Sequence, residues 1–169
     1  MSRHYRVALV GCGGMGRQHI QALHDVADFS VVALCDVSEE SLGLAGEMVE
    51  AASYRDCATM CDEVEPDIVV VATQTRGHLG PSLAALERGI SVLCEKPIAI
   101  DLEEADQMVA AAQRSGARLA INQQNHVNPG ICKAQEMVAA GTIGEVVLVR
   151  GRNKSGRKAA TNLRRWARM

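Results

Sequence analysis

Aromatic side chains are nearly missing from this 169-residue chain: one Trp, two Tyr and one Phe, 2% of the sequence. Single-stranded nucleic acid is gripped by stacking its bases on aromatic faces, so their scarcity argues against nucleic acid as a partner. The one feature that points the other way is a basic tail, in which Arg150, Arg152, Lys154, Arg157, Lys158, Arg164, Arg165 and Arg168 hold eight of the eighteen Lys and Arg and Trp166 is the single aromatic. A basic tail can bind anionic surfaces by releasing counterions; without stacking partners it reads as a solvated end. Long apolar runs are also lacking. Nothing approaches the roughly 20 residues of a membrane-spanning helix, and Met1-Ser2-Arg3-His4-Tyr5 passes into a strand without an apolar signal segment, which predicts a cytoplasmic protein with no membrane partner. Cysteine is present, six in all, but scattered over strand ends and helices instead of arranged as a disulfide framework, so reduced thiols are expected. Cys57 and Cys61 could share a helix face, yet no second Cys or His pair at zinc spacing accompanies them, and no metal site is expected. With 47% hydrophobic and 22% charged residues, the chain can bury one good core and not two full domains.

Glycine is plentiful, and informative in one place. Arg6 to Val10 is a short apolar run that breaks into Gly11-Cys12-Gly13-Gly14-Met15-Gly16 and then into a helical pattern reaching His24 or Asp25. Gly11, Gly13 and Gly16 fit G-x-G-x-x-G. In a dinucleotide site the first permits a sharp turn off the strand, the second lets backbone approach a pyrophosphate, and the third lets helix and strand pack closely. The phosphates would rest on free N–H groups at the positive end of the helix dipole. A second apolar run, Phe29 to Cys35, ends at Asp36, twenty residues past Gly16, where a ribose-binding acid is expected. Loop, helix, strand and acid together make one βαβ unit.

The rest of the chain keeps alternating. Ser38 is placed to cap a helix running to about Ala51, with Glu39 and Glu40 in its first turn. Ser53-Tyr54 suggests a short strand and Asp56 to Val64 a short helix ended by Pro66. Asp67 to Ala72 is β-branched and apolar on both faces, as a central parallel strand should be. Leu79 to Arg88 reads as a helix closed by Gly89, and Ile90 to Cys94 as the next strand. Asp101 with Glu104 forms a capping-box pattern before a helix whose inner face is Leu102, Ala105, Met108, Val109 and Ala112. Leu119 to Asn122 is a sixth strand. Such alternation predicts an α/β fold, a doubly wound parallel sheet of the Rossmann type. Ligands of such sheets lie beyond the carboxyl ends of the strands, which brings the glycine loop, Asp36, Thr73, Gln74, Glu95, Lys96 and Gln123 to His126 to one crevice. Proline restricts the residue before it, so Lys96 in Glu95-Lys96-Pro97 is held at the mouth of that crevice. Its amine could act as general acid or base in an alcohol-to-ketone interconversion, or it could be a surface lysine paired with Glu95.

These residues resemble the N-terminal half of the Gfo/Idh/MocA oxidoreductases. The resemblance is carried by Gly11 to His19, Asp36, Val69 to Thr73 followed by His78, Ala85 to Pro97 with its Glu-Lys-Pro motif, Gln124-Asn125 with Asn128-Pro129, and Gly141 to Glu145. It implies a nicotinamide-dependent enzyme acting on a sugar, cyclitol or polyol, with Lys96 as the catalytic lysine. The implied cofactor site comprises Gly11, Gly13, Gly14, Met15, Gly16, Asp36, Thr73, Gln74, His78, Glu95, Lys96 and Asn125. Asp36 with no arginine beside it favours NAD, since a carboxylate repels a 2′-phosphate; Ser38 leaves NADP open. His19 and His78 match family positions as either packing or ligand residues. Where many relatives carry Arg-Phe before Asn-Pro this chain has His126-Val127, leaving His126 as a substitute donor or a plain loop residue.

Residues 1–122 are thus expected to form the NAD(P)-binding domain, and 123–169 a connecting helix, a first strand at Val146 to Val149 and the basic tail of a second, α+β substrate domain that is otherwise missing. The Asp and His that partner the lysine in relatives have no counterpart here. Two expectations follow: an oxidoreductase completed by a second half, supplied in trans or lost, and a cofactor-binding or regulatory module without turnover. An unpaired strand at Val146 to Val149 would favour self-association into a homo-oligomer.

Overall fold

The computed structural model describes residues 3–150, which fall into two compact units, Met1–Gln124 and Asn125–Met169. In the first unit, strands β1 (Tyr5–Val10), β2 (Phe29–Cys35), β3 (Ala52–Tyr54), β4 (Ile68–Val71), β5 (Ser91–Cys94) and β6 (Leu119–Ile121) alternate with helices α1 (Gly14–His24), α2 (Glu39–Gly46), α3 (Cys57–Val64), α4 (Leu79–Leu86) and α5 (Leu102–Ser115). Every strand pairing is parallel, and the order across the sheet is β3-β2-β1-β4-β5-β6. The chain therefore starts in the middle, builds outward through β3, then returns to β1 and builds the other way. The doubly wound expectation holds.

Because successive strand residues point to opposite faces, the apolar runs feed two separate cores. Ala8, Val10, Ala33, Cys35, Val69, Val71, Val92 and Cys94 face one side, where Cys57, Met60 and Cys61 of α3, Ala85 and Leu86 of α4, and Met108 and Ala111 of α5 cover them. Val7, Leu9, Leu34 and Val70 face the other, against Ile20 of α1 and Ala45 of α2. Burial on both sides explains the unbroken apolar character of β4. Each Leu or Val fully withdrawn from water stabilises the fold by roughly 1.5–3 kcal/mol.

The caps form where the sequence places them. Ser38 Oγ accepts the Ser41 N–H at 3.2 Å, Asp56 the Thr59 N–H at 2.8 Å, and Asp101 the Glu104 N–H at 2.9 Å. The Glu104 carboxylate reaches the N–H of Ile100 instead of that of Asp101, a capping box displaced by one residue. Three expectations fail in detail. α2 stops at Gly46, well short of Ala51: it carries Gly43 and Gly46, both poor helix formers, and the Glu47 and Met48 N–H groups turn back onto Gly43 and Ala45. Leu102 and Val109 of α5 are 82% and 42% exposed, because the buried stripe runs through Met108, Ala111 and Ala112 and leaves these two, seven residues apart, on its flank. Pro66 follows a helix already ended by Glu65 in the left-handed region, φ 46°.

In the second unit, α6 (Pro129–Ala139) begins at an Asn128 cap whose Oδ1 accepts the Gly130 and Ile131 N–H groups, with Pro129 in its first turn. Gly141 follows it at φ 68°. Val146 to Val149 carries no regular structure; a strand needs a partner ladder, and no described strand pairs with it. Residues 151–169, with Trp166 and most of the basic tail, lie outside the described residues. No described helix is long and apolar enough to cross a membrane.

Candidate functional site

β1 and β4 lie side by side although their following connections leave in opposite directions, so a crevice opens at their carboxyl ends. The glycine loop lines its floor. Gly11 sits at φ 93°, and a Cβ there would stand 2.6 Å from the carbonyl carbon of Ala72 and from the Thr73 nitrogen. A Cβ on Gly16 would run into the Gly11 carbonyl oxygen and press on Leu9. These two glycines answer to the protein's own packing of β1 against β4 and α1. Gly13 and Gly14 do not: a Cβ on either meets nothing within 4 Å. α1 opens at Gly13 with no side-chain cap and no acidic residue in its first turn, so its first N–H groups are left for an outside acceptor. Met15, in that turn, is 40% exposed. An uncapped helix start behind a bare glycine suits an anion, and the residues present fit a dinucleotide pyrophosphate.

Asp36 stands at the end of β2. One carboxylate oxygen accepts the Cys12 N–H at 2.7 Å and the other the Ser38 N–H at 2.8 Å, which fixes the carboxylate beside the glycine loop with lone pairs to spare for a ribose hydroxyl. Burial, and after it the charge of Asp36, pushes the Cys12 thiol up to about 12, so that thiol stays neutral. Arg55, just after β3, pairs with Glu39 at 2.9 Å. The sequence offered no sign of this arginine near the β2 end, because only the β2–β3 pairing brings it there.

Across the crevice, Thr73 and Gln74 follow β4, and Glu95 and Lys96 follow β5. Lys96 is exposed and its bond to Pro97 is cis. The pairing weighed for Lys96 and Glu95 is taken by another residue: Glu95 Oε1 accepts from His19 Nε2 at 2.9 Å and from Asn122 Nδ2 at 2.6 Å, while Oε2 accepts the Lys96 backbone N–H at 3.2 Å. Glu95 is only 5% exposed. Burial opposes its ionisation, but the bonds from Asn122, His19 and the Lys96 N–H outweigh that and hold the carboxyl below its usual range. His78 is also buried, with Nδ1 against the Pro97 carbonyl at 3.0 Å and Nε2 against the Thr73 carbonyl at 3.2 Å. Its ring ties the loop after β4 to the loop after β5. Glu95 and His78, both expected in the cofactor site, thus turn their polar atoms to the protein and hold the loops that border the crevice.

Asn125 belongs to the second unit, in a short 3-10 turn whose Asn125 carbonyl accepts the Asn128 N–H. The His126 carbonyl there accepts from the Cys132 thiol at 3.2 Å. Sequence reasoning missed Asn122 altogether and left His19 undecided; nothing in a linear reading joins His19 to Glu95 across 76 residues. Among the described residues no cluster of His, Cys, Asp and Glu suits a metal ion.

Known proteins are similar to this chain in sequence and fold. D-apiose dehydrogenase of Paraburkholderia graminis is 34% identical over 143 residues, covering 84% of this chain and 38% of that protein. D-glucoside 3-dehydrogenase of Escherichia coli is 32% identical over 149 residues, covering 87% of this chain and 42% of its own. Among solved structures, the WlbA dehydrogenase from Bordetella pertussis, in complex with NADH and UDP-GlcNAcA, matches with a TM-score of 0.80 at 29% identity, over 84% of this chain and 44% of that one. The chain therefore spans less than half the length of these relatives. The oxidoreductase family defined by an NAD-binding Rossmann fold matches residues 5–123, so the glycine loop, Asp36 and the Glu-Lys-Pro loop all fall within the match, and this chain belongs to the Gfo/Idh/MocA family.

Proposed function

We propose that this chain is the coenzyme-binding part of an NAD-dependent dehydrogenase that interconverts a hydroxyl and a ketone on a sugar, cyclitol or polyol, with Lys96 as its catalytic residue. The observation that carries the reading is the crevice itself: an uncapped helix start behind open glycines, a fixed carboxylate at Asp36 and an exposed lysine amine on the opposite strand end. NAD supplies the two-electron acceptor. The chain's own residues do the rest. Gly13, Gly14 and Met15 offer backbone N–H groups to the pyrophosphate, Asp36 accepts from a ribose hydroxyl, and Thr73 and Gln74 border the other half of the crevice. Oxidation of a hydroxyl requires that its proton leave as the hydride does; Lys96 Nζ takes that proton, and returns it in the reverse direction.

Sugar chemistry is suggested by the names of the relatives, D-apiose and D-glucoside dehydrogenases. The substrate-binding half is supplied in the same polypeptide or in trans, and the protein works in the cytoplasm. The second reading is a coenzyme-binding module without turnover.

One experiment separates them. NAD binding is measured by titration calorimetry, followed by NADH formation against a panel of sugars and polyols. The enzyme reading expects binding in both wild type and Lys96→Met, with NADH formed only by the wild type. Binding without turnover on any panel member counts against catalysis by this chain as it stands, and no binding of NAD to folded chain overturns both. In the same assay Asp36→Ala should narrow the preference for NAD over NADP; an unchanged ratio removes Asp36 from the ribose contact.

A further inference from the structure

We propose that the buried Glu95 carboxylate biases this site toward the oxidised coenzyme, NAD⁺ over NADH, by fixing a negative charge at the half of the crevice that receives the nicotinamide. The inference rests on the NAD-binding reading above and concerns which redox form is held more tightly.

The sheet order divides the crevice. Asp36 lies on the β1-β2-β3 side, where the adenosine ribose belongs; the β4-β5-β6 side, with Thr73, Glu95 and Lys96, is left for the nicotinamide half. The two redox forms share every atom of their phosphates and riboses and differ at the nicotinamide, which carries a positive charge when oxidised and none when reduced. A fixed charge near that ring acts on the charge of one form and not on the other. Hydrogen bonds to ribose or pyrophosphate act on both forms alike.

Glu95 meets the requirement. Its carboxylate is 5% exposed, so bulk water and salt screen it weakly, and it is anchored from three elements: His19 on α1, Asn122 after β6 and the peptide N–H of Lys96 after β5. The Asn122 amide and the peptide N–H carry no net charge. His19 is its hydrogen-bond partner at 2.9 Å, an imidazole in a place where a guanidinium would have carried a permanent positive charge. Arg17, on the same helix, is turned away onto the Cys12 carbonyl at 2.9 Å. The loop that Glu95 anchors also holds Lys96, so the charge sits within the site and not at its rim.

The test compares dissociation constants for NAD⁺ and for NADH by titration calorimetry, using the 169-residue chain and three variants checked by circular dichroism and thermal melting. Glu95→Gln keeps the shape and an acceptor oxygen but removes the charge; the ratio of the two constants should move toward NADH by about threefold to tenfold. Glu95→Ala removes the charge together with the acceptor oxygens, so it should move the ratio the same way, and serves if Glu95→Gln does not fold. Asp36→Asn should weaken both forms with the ratio intact. An unchanged ratio in folded Glu95→Gln, or in Glu95→Ala where the first is unfolded, overturns the proposal while leaving NAD binding standing. Failure of wild type to bind either form overturns the NAD-binding reading itself, and this inference with it.

Discussion

Two pairs of glycines in one loop answer to different masters. A methyl group at Gly16 collides with the Gly11 carbonyl, while one at Gly13 enters empty space. Gly16→Ala should therefore cost the fold at least ~1–3 kcal/mol, as overpacking against backbone does, and lower the thermal midpoint. Gly13→Ala should leave stability within about 0.5 kcal/mol yet weaken NAD binding by about tenfold or more, since the methyl would stand where the pyrophosphate approaches. Equal loss of stability in the two variants would contradict this division. Glu95 gives the pH counterpart. Its carboxyl is held below the ordinary value of 4.5, so the folded chain binds its proton less readily than the unfolded chain does. That stabilisation is complete above the unfolded value, near neutral pH, and drains away as the pH falls through 4.5 and then through the lower folded value. Glu95→Gln should flatten the acid side of a stability profile measured by denaturant unfolding between neutral pH and pH 3, and an unchanged slope would show that the carboxylate carries no such linkage.

At the scale of elements, most of the architecture was legible because local signals agree with one another. β2 was bounded at Phe29 and Cys35 from its apolar run alone, and α3 and α5 start at the acids that cap them. Asp101→Ala should cost about 1 kcal/mol through loss of the α5 cap, read as a drop of about 2–4 °C in the thermal midpoint; no change would mean that packing of Met108, Ala111 and Ala112 alone sets this helix. What was not legible came from contacts between elements. Leu102 and Val109 look like core residues on any apolar count, and only the seating of α5 on the sheet shows that they lie beside the stripe. Val146 to Val149 has strand composition but no ladder among the described residues. In the site, the motif residues Gly11, Gly13, Gly16, Asp36 and Lys96 could be named from spacing. The His19–Glu95–Asn122 cluster could not, since it joins three strand-end or helix positions that only folding brings together.

For the whole molecule, one seam governs the rest. The first unit is two half-sheets, β3-β2-β1 and β4-β5-β6, that meet along the four-residue pairing of Val7 to Val10 with Ile68 to Val71. The groups proposed for the coenzyme are shared out between the halves: the glycines and Asp36 from the first, Thr73 and Lys96 from the second, with His19 and Glu95 bonded to each other across the junction. A dinucleotide laid across that junction would behave as a rivet between two plates. Whatever energy it gives up on binding is spent holding the plates in register, so the same molecule that takes the electrons would also be the chain's most effective brace.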